Sequence, residues 1–276
     1  MCELVIGIDP DIKNIPNLYK QSGSVDLVAW GTDILTTCVD QVVGVKFQSA
    51  YFENYGMVGL QAMVDLIQKA KSLNLKVVMD AKRGDIGSTS MAYASAYLSP
   101  KNSIGPNPFY SDFLTVNPLM GEDCLMPFID VAINNKKGLF VLLETSNPGA
   151  SMILKERVSS TDATISHKIA AFIQSIHDEM SLKDGEFGPI GVVIGATNKN
   201  VDHWRNLLPH SIFLMPGIGA QGGDWAVATS CLNANGKGVW VPISRGITSV
   251  PLDVPNHTSF KQAVQSNLNT IINSRR

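Results

Sequence analysis

Eight short apolar runs recur along the chain, each ending in a polar residue or a turn signal: Leu4–Asp9, Val42–Phe47, Leu75–Asp80, Phe113–Asn117, Gly138–Thr145, Ile190–Thr197, Ser211–Gly217 and Gly238–Ser244. Most are rich in β-branched residues or Leu and do not alternate with polar ones, which is how strands buried on both faces read. Helical stretches lie between them, among them Tyr55–Leu73, Ile86–Leu98, Thr161–Met180 and Asn198–Leu208, and a last one covers Thr258–Ser274. Strands alternating with helices imply right-handed crossovers and a parallel sheet. Eight such units favour an α/β fold closed as a (β/α)8, or TIM, barrel, whereas one strand fewer would leave an open doubly wound sheet. No shift in composition marks a linker, so one domain over residues 1–276 is expected. The insert Asn102–Tyr110 and the segment Ser151–Ser160 carry no motif, and loops there could alter access to a site.

Composition narrows the class. With 276 residues and 45% of them hydrophobic, the chain can bury a large core without disulfide or metal staples. Only 17% are charged, the net charge is −2 and the pI is about 6.2, which speaks against nucleic-acid binding and against a polybasic membrane surface. No segment reaches the ~20 apolar residues of a membrane helix, and the short run Leu4–Ile8 is bracketed by Glu3 and Asp9, unlike a signal peptide. Cys2, Cys38, Cys124 and Cys231 lie too far apart for a zinc site or a dense disulfide framework, and read as small buried hydrophobes in a reducing, cytoplasmic setting. The five histidines fall away from the strand ends, with neither H-E-x-x-H nor G-x-S-x-G, so zinc and serine hydrolases are poorly supported.

In a parallel barrel the C-terminal strand ends converge on one mouth, where active sites are built. Here those ends carry Asp9, Lys46, Asp80, Lys82, Asn117, Thr145, Ser146 and Arg245. Any one alone reads as a cap or turn residue, as Asp9 before Pro10 does. Asp80 and Lys82, two apart at a strand end, should project to the same side. Flanking carboxylates at Asp80 and Asp85 would hold Lys82 protonated, as a general acid or an electrostatic clamp. The same three charges could equally be a surface cluster capping the helix that begins near Asp85. Lys46 adds a cation at a strand end where solubility does not require one, so Lys46, Asp80, Lys82 and Asp85 form a candidate charge network.

Gly217, Gly219 and Gly222 match G-x-G-x-x-G, but they follow the seventh strand, and about 20 residues further on there is Arg245 and no acidic partner for a ribose. A glycine-rich loop after strand 7 and an Arg at the end of strand 8 fit a barrel phosphate site, with backbone N–H groups and a helix N-terminus facing the anion.

The segment Asp80-Ala81-Lys82-Arg83-Gly84-Asp85-Ile86 resembles the D-x-K-x-x-D-I signature of the orotidine 5′-monophosphate decarboxylase family, in its bacterial-type branch. Gly7-Ile8-Asp9-Pro10, Gly44 to Glu53, Thr115-Val116-Asn117-Pro118, Thr145 to Gly149, Pro216 to Gly223 and Ser244 to Ile247 are similar to the same family, in order along nearly the whole chain. The resemblance implies a homodimer that needs no cofactor or metal and converts orotidine 5′-monophosphate to uridine 5′-monophosphate and carbon dioxide in pyrimidine biosynthesis. By motif position, Lys82 would protonate C6, and Asp80 would lie against the leaving carboxylate and hold Lys82. Asp85, with Ile86 and Thr89, would enter the neighbouring subunit's site. Asp9 and Lys46 would bind ribose hydroxyls, Ser146 the pyrimidine, and Gln221 and Arg245 the phosphate. Two other readings stand beside it: a Mg²⁺-dependent decarboxylase of β-keto sugar phosphates, disfavoured by Lys46 where an acidic ligand is needed, and a nucleotide-binding barrel without turnover.

Overall fold

The apolar runs become strands because β-branched and aromatic side chains suit a pleated surface covered on both faces. A computed structural model describes residues 1–158, 163–198, 200–219 and 222–275. Its barrel strands are β1 (Glu3–Ile8), β2 (Gly44–Gln48), β3 (Lys76–Arg83), β4 (Phe113–Val116), β5 (Gly138–Glu144), β6 (Ile190–Ile194), β7 (Phe213–Leu214) and β8 (Val239–Ile243). They close in the order β1-β8-β7-β6-β5-β4-β3-β2, so the barrel, and not the open sheet, is the fold. The helices that alternate with them are α1 (Leu27–Cys38), α2 (Gly56–Ser72), α3 (Gly87–Leu98), α4 (Glu122–Asn134), α5 (Ile165–Glu179), α6 (Val201–Leu207), α7 (Trp225–Ser230) and α8 (His257–Asn273). Among the described residues no helix is long and apolar enough to cross a membrane.

The chain divides into two compact units. One comprises Leu4–Ala81 with Pro242–Arg276. In it β1 pairs with β2 and β2 with β3, in a register that sets Gly7 beside Lys46 and Gln48 beside Asp80. Ile6, Ile8, Val45, Phe47, Val77 and Met79 are fully buried there. Gly7 has no substitute, because a Cβ would collide with the side chain of Ser244. Gly31 lets α1 settle onto α2: a Cβ there would lie 2.6 Å from a methyl of Leu66.

The other unit comprises Met1–Glu3 with Lys82–Val241. Phe113, Phe140 and Trp240 pack together, with Phe113 stacked on Phe140 at 5.0 Å and edge-on to Trp240 at 4.9 Å. The Arg205 guanidinium is buried over the Phe213 ring and donates to the carbonyls of Cys231, Leu208, Ser211 and Gly238. Burial lowers its pKa to about 10, still protonated at neutral pH.

Three details depart from the sequence reading. Strand β3 runs on to Arg83, so Asp80 and Lys82 belong to the strand itself. Strand β7 shrinks to Phe213–Leu214, although Met215 N still donates to Trp240 O, before Pro216 and Gly217 turn the chain. Helix α5 starts at Ile165 because Thr164 caps it, its hydroxyl accepting from His167 N. The insert 102–110 is tied by Asn107, which donates to the Ser95 and Ser99 carbonyls at the end of α3. A segment between a helix and the next strand lies at the N-terminal strand ends, away from the mouth where access to a site is controlled. All four cysteines are free and buried.

Candidate active site

Within the first unit, three of the expected residues meet. Lys46 Nζ donates to Asp80 Oδ2 at 2.9 Å and lies 3.8 Å from Asp9 Oδ1. Lys46 and Asp80 are each only 7% exposed. Burial by itself would lower the Lys46 pKa, but Asp80 and then Asp9 outweigh it, so the ammonium is held above its ordinary value. Asp9 Oδ1 is buried and accepts no hydrogen bond, which leaves an acceptor for a hydroxyl brought by a ligand.

A fourth residue was not singled out in the sequence. Gln48 Nε2 donates to the same Asp80 Oδ2 at 3.1 Å. The signal was there: Gln48 is two residues beyond Lys46, hence on the same face of β2, and is the register partner of Asp80. Arg245, of the same unit, opens the helical turn Arg245–Thr248 just after β8 and is exposed.

The remaining expected residues belong to the second unit. Lys82 is exposed and has φ of 47°, a left-handed conformation that costs a non-glycine residue about 1–2 kcal/mol. The strand is therefore irregular at Lys82 itself. Its N–H donates to Thr115 Oγ1 at 2.9 Å, and one residue on, Arg83 O accepts from Asn117 N at 2.8 Å. Gly84 is needed where it stands, since a Cβ would lie 2.9 Å from the Asn117 carbonyl. Arg83 reaches to Tyr97, donating to its hydroxyl at 3.0 Å.

Asp85 precedes α3, and its Oδ1 accepts from Ile86 N at 2.8 Å, so the helix-end reading holds as far as that local bond. Ile86 and Thr89 are exposed on the loop and the first turn of α3. Ser146 follows β5, half-buried, and lines a cavity of about 440 Å³ with Glu144, Asn147, Lys155 and Asn198. Ser151 also lines it, so the start of the 151–160 segment does stand beside a site residue, whereas its end lies outside the described residues.

The glycine loop is held in part by its own backbone. Gly217, Gly219 and Gly222 have φ of 108°, 79° and 75°, so glycine is required at each. Yet Gly222 N donates to Gly219 O and Gly223 N to Gly217 O, which commits those two amides to the loop. Helix α7, the expected anion-facing terminus, has six residues, and the Asp224 carboxylate already accepts from Ala226 N. A carboxylate at that end repels a phosphate, so Arg245 and not the helix is the feature suited to one. Gln221 lies outside the described residues.

Comparison with known proteins gives the family. The family model described as Orotidine 5′-phosphate decarboxylase / HUMPS family matches residues 3–255. The chain is 37% identical over 251 residues to an orotidine 5′-phosphate decarboxylase of Rhodopirellula baltica, covering 88% of this chain and 82% of that one. It is 32% identical over 248 residues to that of Deinococcus radiodurans, covering 88% and 83%. The solved structure of Leishmania donovani OMP decarboxylase superposes with a TM-score of 0.73 at 25% identity, over 99% of this chain and 93% of the other. A barrel with this family's motifs in order, matched over most of its length, belongs to the orotidine 5′-phosphate decarboxylase / HUMPS family.

Proposed function

We propose that this chain, a carboxy-lyase of its family, decarboxylates orotidine 5′-monophosphate to uridine 5′-monophosphate as a single catalytic domain, without metal or cofactor, in a cytoplasmic homodimer. The observation that carries the reading is the buried Lys46–Asp80 pair with half-buried Asp9 beside it, at the C-terminal ends of adjacent strands. Burying the Lys46 and Asp80 charges costs several kcal/mol per ion, which their attraction only partly returns, so a function explains the pair better than stability does. Lys46 also argues against the Mg²⁺-dependent alternative: its ammonium already sits between the two carboxylates that a divalent ion would need.

In the proposed mechanism the ribose hydroxyls bind Asp9 and Lys46, Ser146 bonds the pyrimidine, and Arg245 with Gln221 holds the phosphate at the Gly217–Gly222 loop. Asp80 lies against the carboxylate of the substrate. As the bond from C6 to the carboxylate carbon breaks, its electron pair stays at C6 and takes a proton from the Lys82 ammonium, leaving carbon dioxide. A fixed ammonium near the developing carbanion lowers the barrier by preorganised electrostatics. Asp85 and Thr89 act across the dimer interface. Exposed Ile86, Met91, Leu119, Met120 and Met126, on and around α3 and α4, provide apolar surface suited to a second copy. The buried thiols suit a reducing compartment, Cys38 and Cys231 being pushed up to about 12 by burial.

The test is incubation of purified protein with orotidine 5′-monophosphate and excess EDTA, following the loss of substrate absorbance. Turnover that survives chelation and falls by at least about 10³-fold in Lys82→Ala is expected. Activity recovered only with Mg²⁺, or full turnover by Lys82→Ala, would overturn the assignment. A folded protein that binds uridine 5′-monophosphate but never turns over substrate would instead be a binding barrel.

A further inference from the structure

Lys82 is one of four non-glycine residues with positive φ among those described; the others are Asn74, Lys136 and Ser181. Asn74, Lys136 and Ser181 each come two residues after the last residue of α2, α4 and α5, positions where a left-handed residue ends a helix. Lys82 alone has this conformation inside a strand, next to the carboxylate that the sequence pairs with it. A left-handed residue makes a strand irregular at that point, and the Lys82 N–H there has a side-chain acceptor. The Thr115 hydroxyl takes that N–H at 2.9 Å, and Thr115 is only 1% exposed, fixed within β4. The ladder resumes one residue later, through Asn117 N and Arg83 O.

We infer that Thr115 is a positioning residue: its hydroxyl holds the Lys82 backbone in the left-handed conformation and thereby sets where the Lys82 side chain leaves the strand. This rests on the proposed role of Lys82, but the backbone part of it does not. Thr115 touches no reacting atom. Its hydroxyl satisfies a main-chain donor at the one point where the strand is bent to re-aim a side chain. Valine matches threonine in shape and lacks the acceptor, whereas serine keeps it.

The experiment compares Thr115→Val and Thr115→Ser with the unaltered protein, by steady-state kinetics on orotidine 5′-monophosphate, by thermal melting, and by crystal structures that report φ at Lys82. Thr115→Val should lower kcat by roughly 10–100-fold, the scale of a small misplacement at a reacting centre, with KM within about twofold. Thr115→Ser should recover kcat to within a few-fold, and φ at Lys82 should turn negative in Thr115→Val only. A Thr115→Val protein with unaltered kcat, a serine variant as impaired as the valine one, or a left-handed Lys82 retained in Thr115→Val would each overturn the inference. Should the unaltered protein prove inactive, the catalytic reading fails by itself, and φ in the two variants still decides what Thr115 does to the backbone. If Thr115→Val does not fold, Thr115→Ser decides: a left-handed Lys82 with near-normal kcat upholds the inference, and loss of either overturns it.

Discussion

At the scale of single residues, the chemistry of this chain is a problem of keeping charge where water cannot help. Lys46 has carboxylates on two sides and almost no solvent. Their attraction exceeds the cost of burying its ammonium, so it stays protonated across neutral pH. Removing the cation takes the Lys46 ion pair away from buried Asp80 and leaves the Gln48 amide donating to Oδ2. Lys46→Met should therefore cost about 3–5 kcal/mol of stability, the penalty of breaking a buried pair from one side. Adding Asp80→Asn should return part of that loss, because the amide no longer brings a buried negative charge that has lost its Lys46 partner. Urea unfolding of the two single variants and the double variant measures both quantities. A Lys46→Met protein as stable as the original would mean that this pair is not what holds the rim together. Asp9, Lys46 and Asp80 were legible in the sequence because a charge ending an apolar run has few structural reasons to be there. Gln48 was not, since a neutral amide at a strand end looks like any other surface residue.

At the scale of elements, the strands were far more legible than the partners of the helices. Each apolar run announced its own strand, because burial on both faces leaves a local mark on composition. Helices α1 and α4 leave a weaker trace in the sequence. Gly31 and several threonines weaken the helical pattern of α1, and Pro127 interrupts that of α4. What fixes α1 is remote in sequence. Asp33 on α1 accepts from the Tyr19 hydroxyl at 2.7 Å, lies 2.6 Å from His257 Nδ1 and pairs with Lys261 Nζ at 2.9 Å, the last two on α8. Burial alone would raise the Asp33 pKa, but the His257, Tyr19 and Lys261 hydrogen bonds more than offset this and hold it below the usual carboxylate value. A carboxylate whose pKa is lower folded than unfolded contributes stability above the unfolded value, near 3.9, and loses it as pH falls through the folded one. Asp33→Asn should cost about 2–4 kcal/mol at pH 7, and its deficit should shrink below about pH 4. Denaturant midpoints of both proteins between pH 7 and pH 3 follow this; a deficit that does not change with pH would show that charge is not what Asp33 supplies.

At the scale of the whole molecule, the ordered motifs carried the family, and the eight-fold alternation carried the barrel; the proposal that Asp85 serves a partner's site rests on the resemblance and on exposed apolar surface. One chain's sequence contains no term for its neighbour, except as exposed apolar side chains that a monomer has no reason to keep. Ile86 and Met91 are 58% and 41% exposed, on the segment that begins with Asp85. If that segment completes the partner's site, Lys82 and Asp85 of the same chain serve different sites. A Lys82→Ala protein and an Asp85→Ala protein should then each be nearly inactive alone. In a mixed dimer one site receives both defects and the other receives neither. Random exchange of equal amounts makes half the dimers mixed, so activity should rise to about a quarter of that of the unaltered protein, following from the two-fold symmetry of the interface. Should both residues serve the site of their own chain, mixing would restore nothing, because every site would still carry one defect. Exchange itself is monitored with differently tagged chains, so that a silent mixture with proven exchange counts against the shared site. Recovery would place Asp85 across the interface and explain why apolar residues on α3 stay uncovered in the single chain.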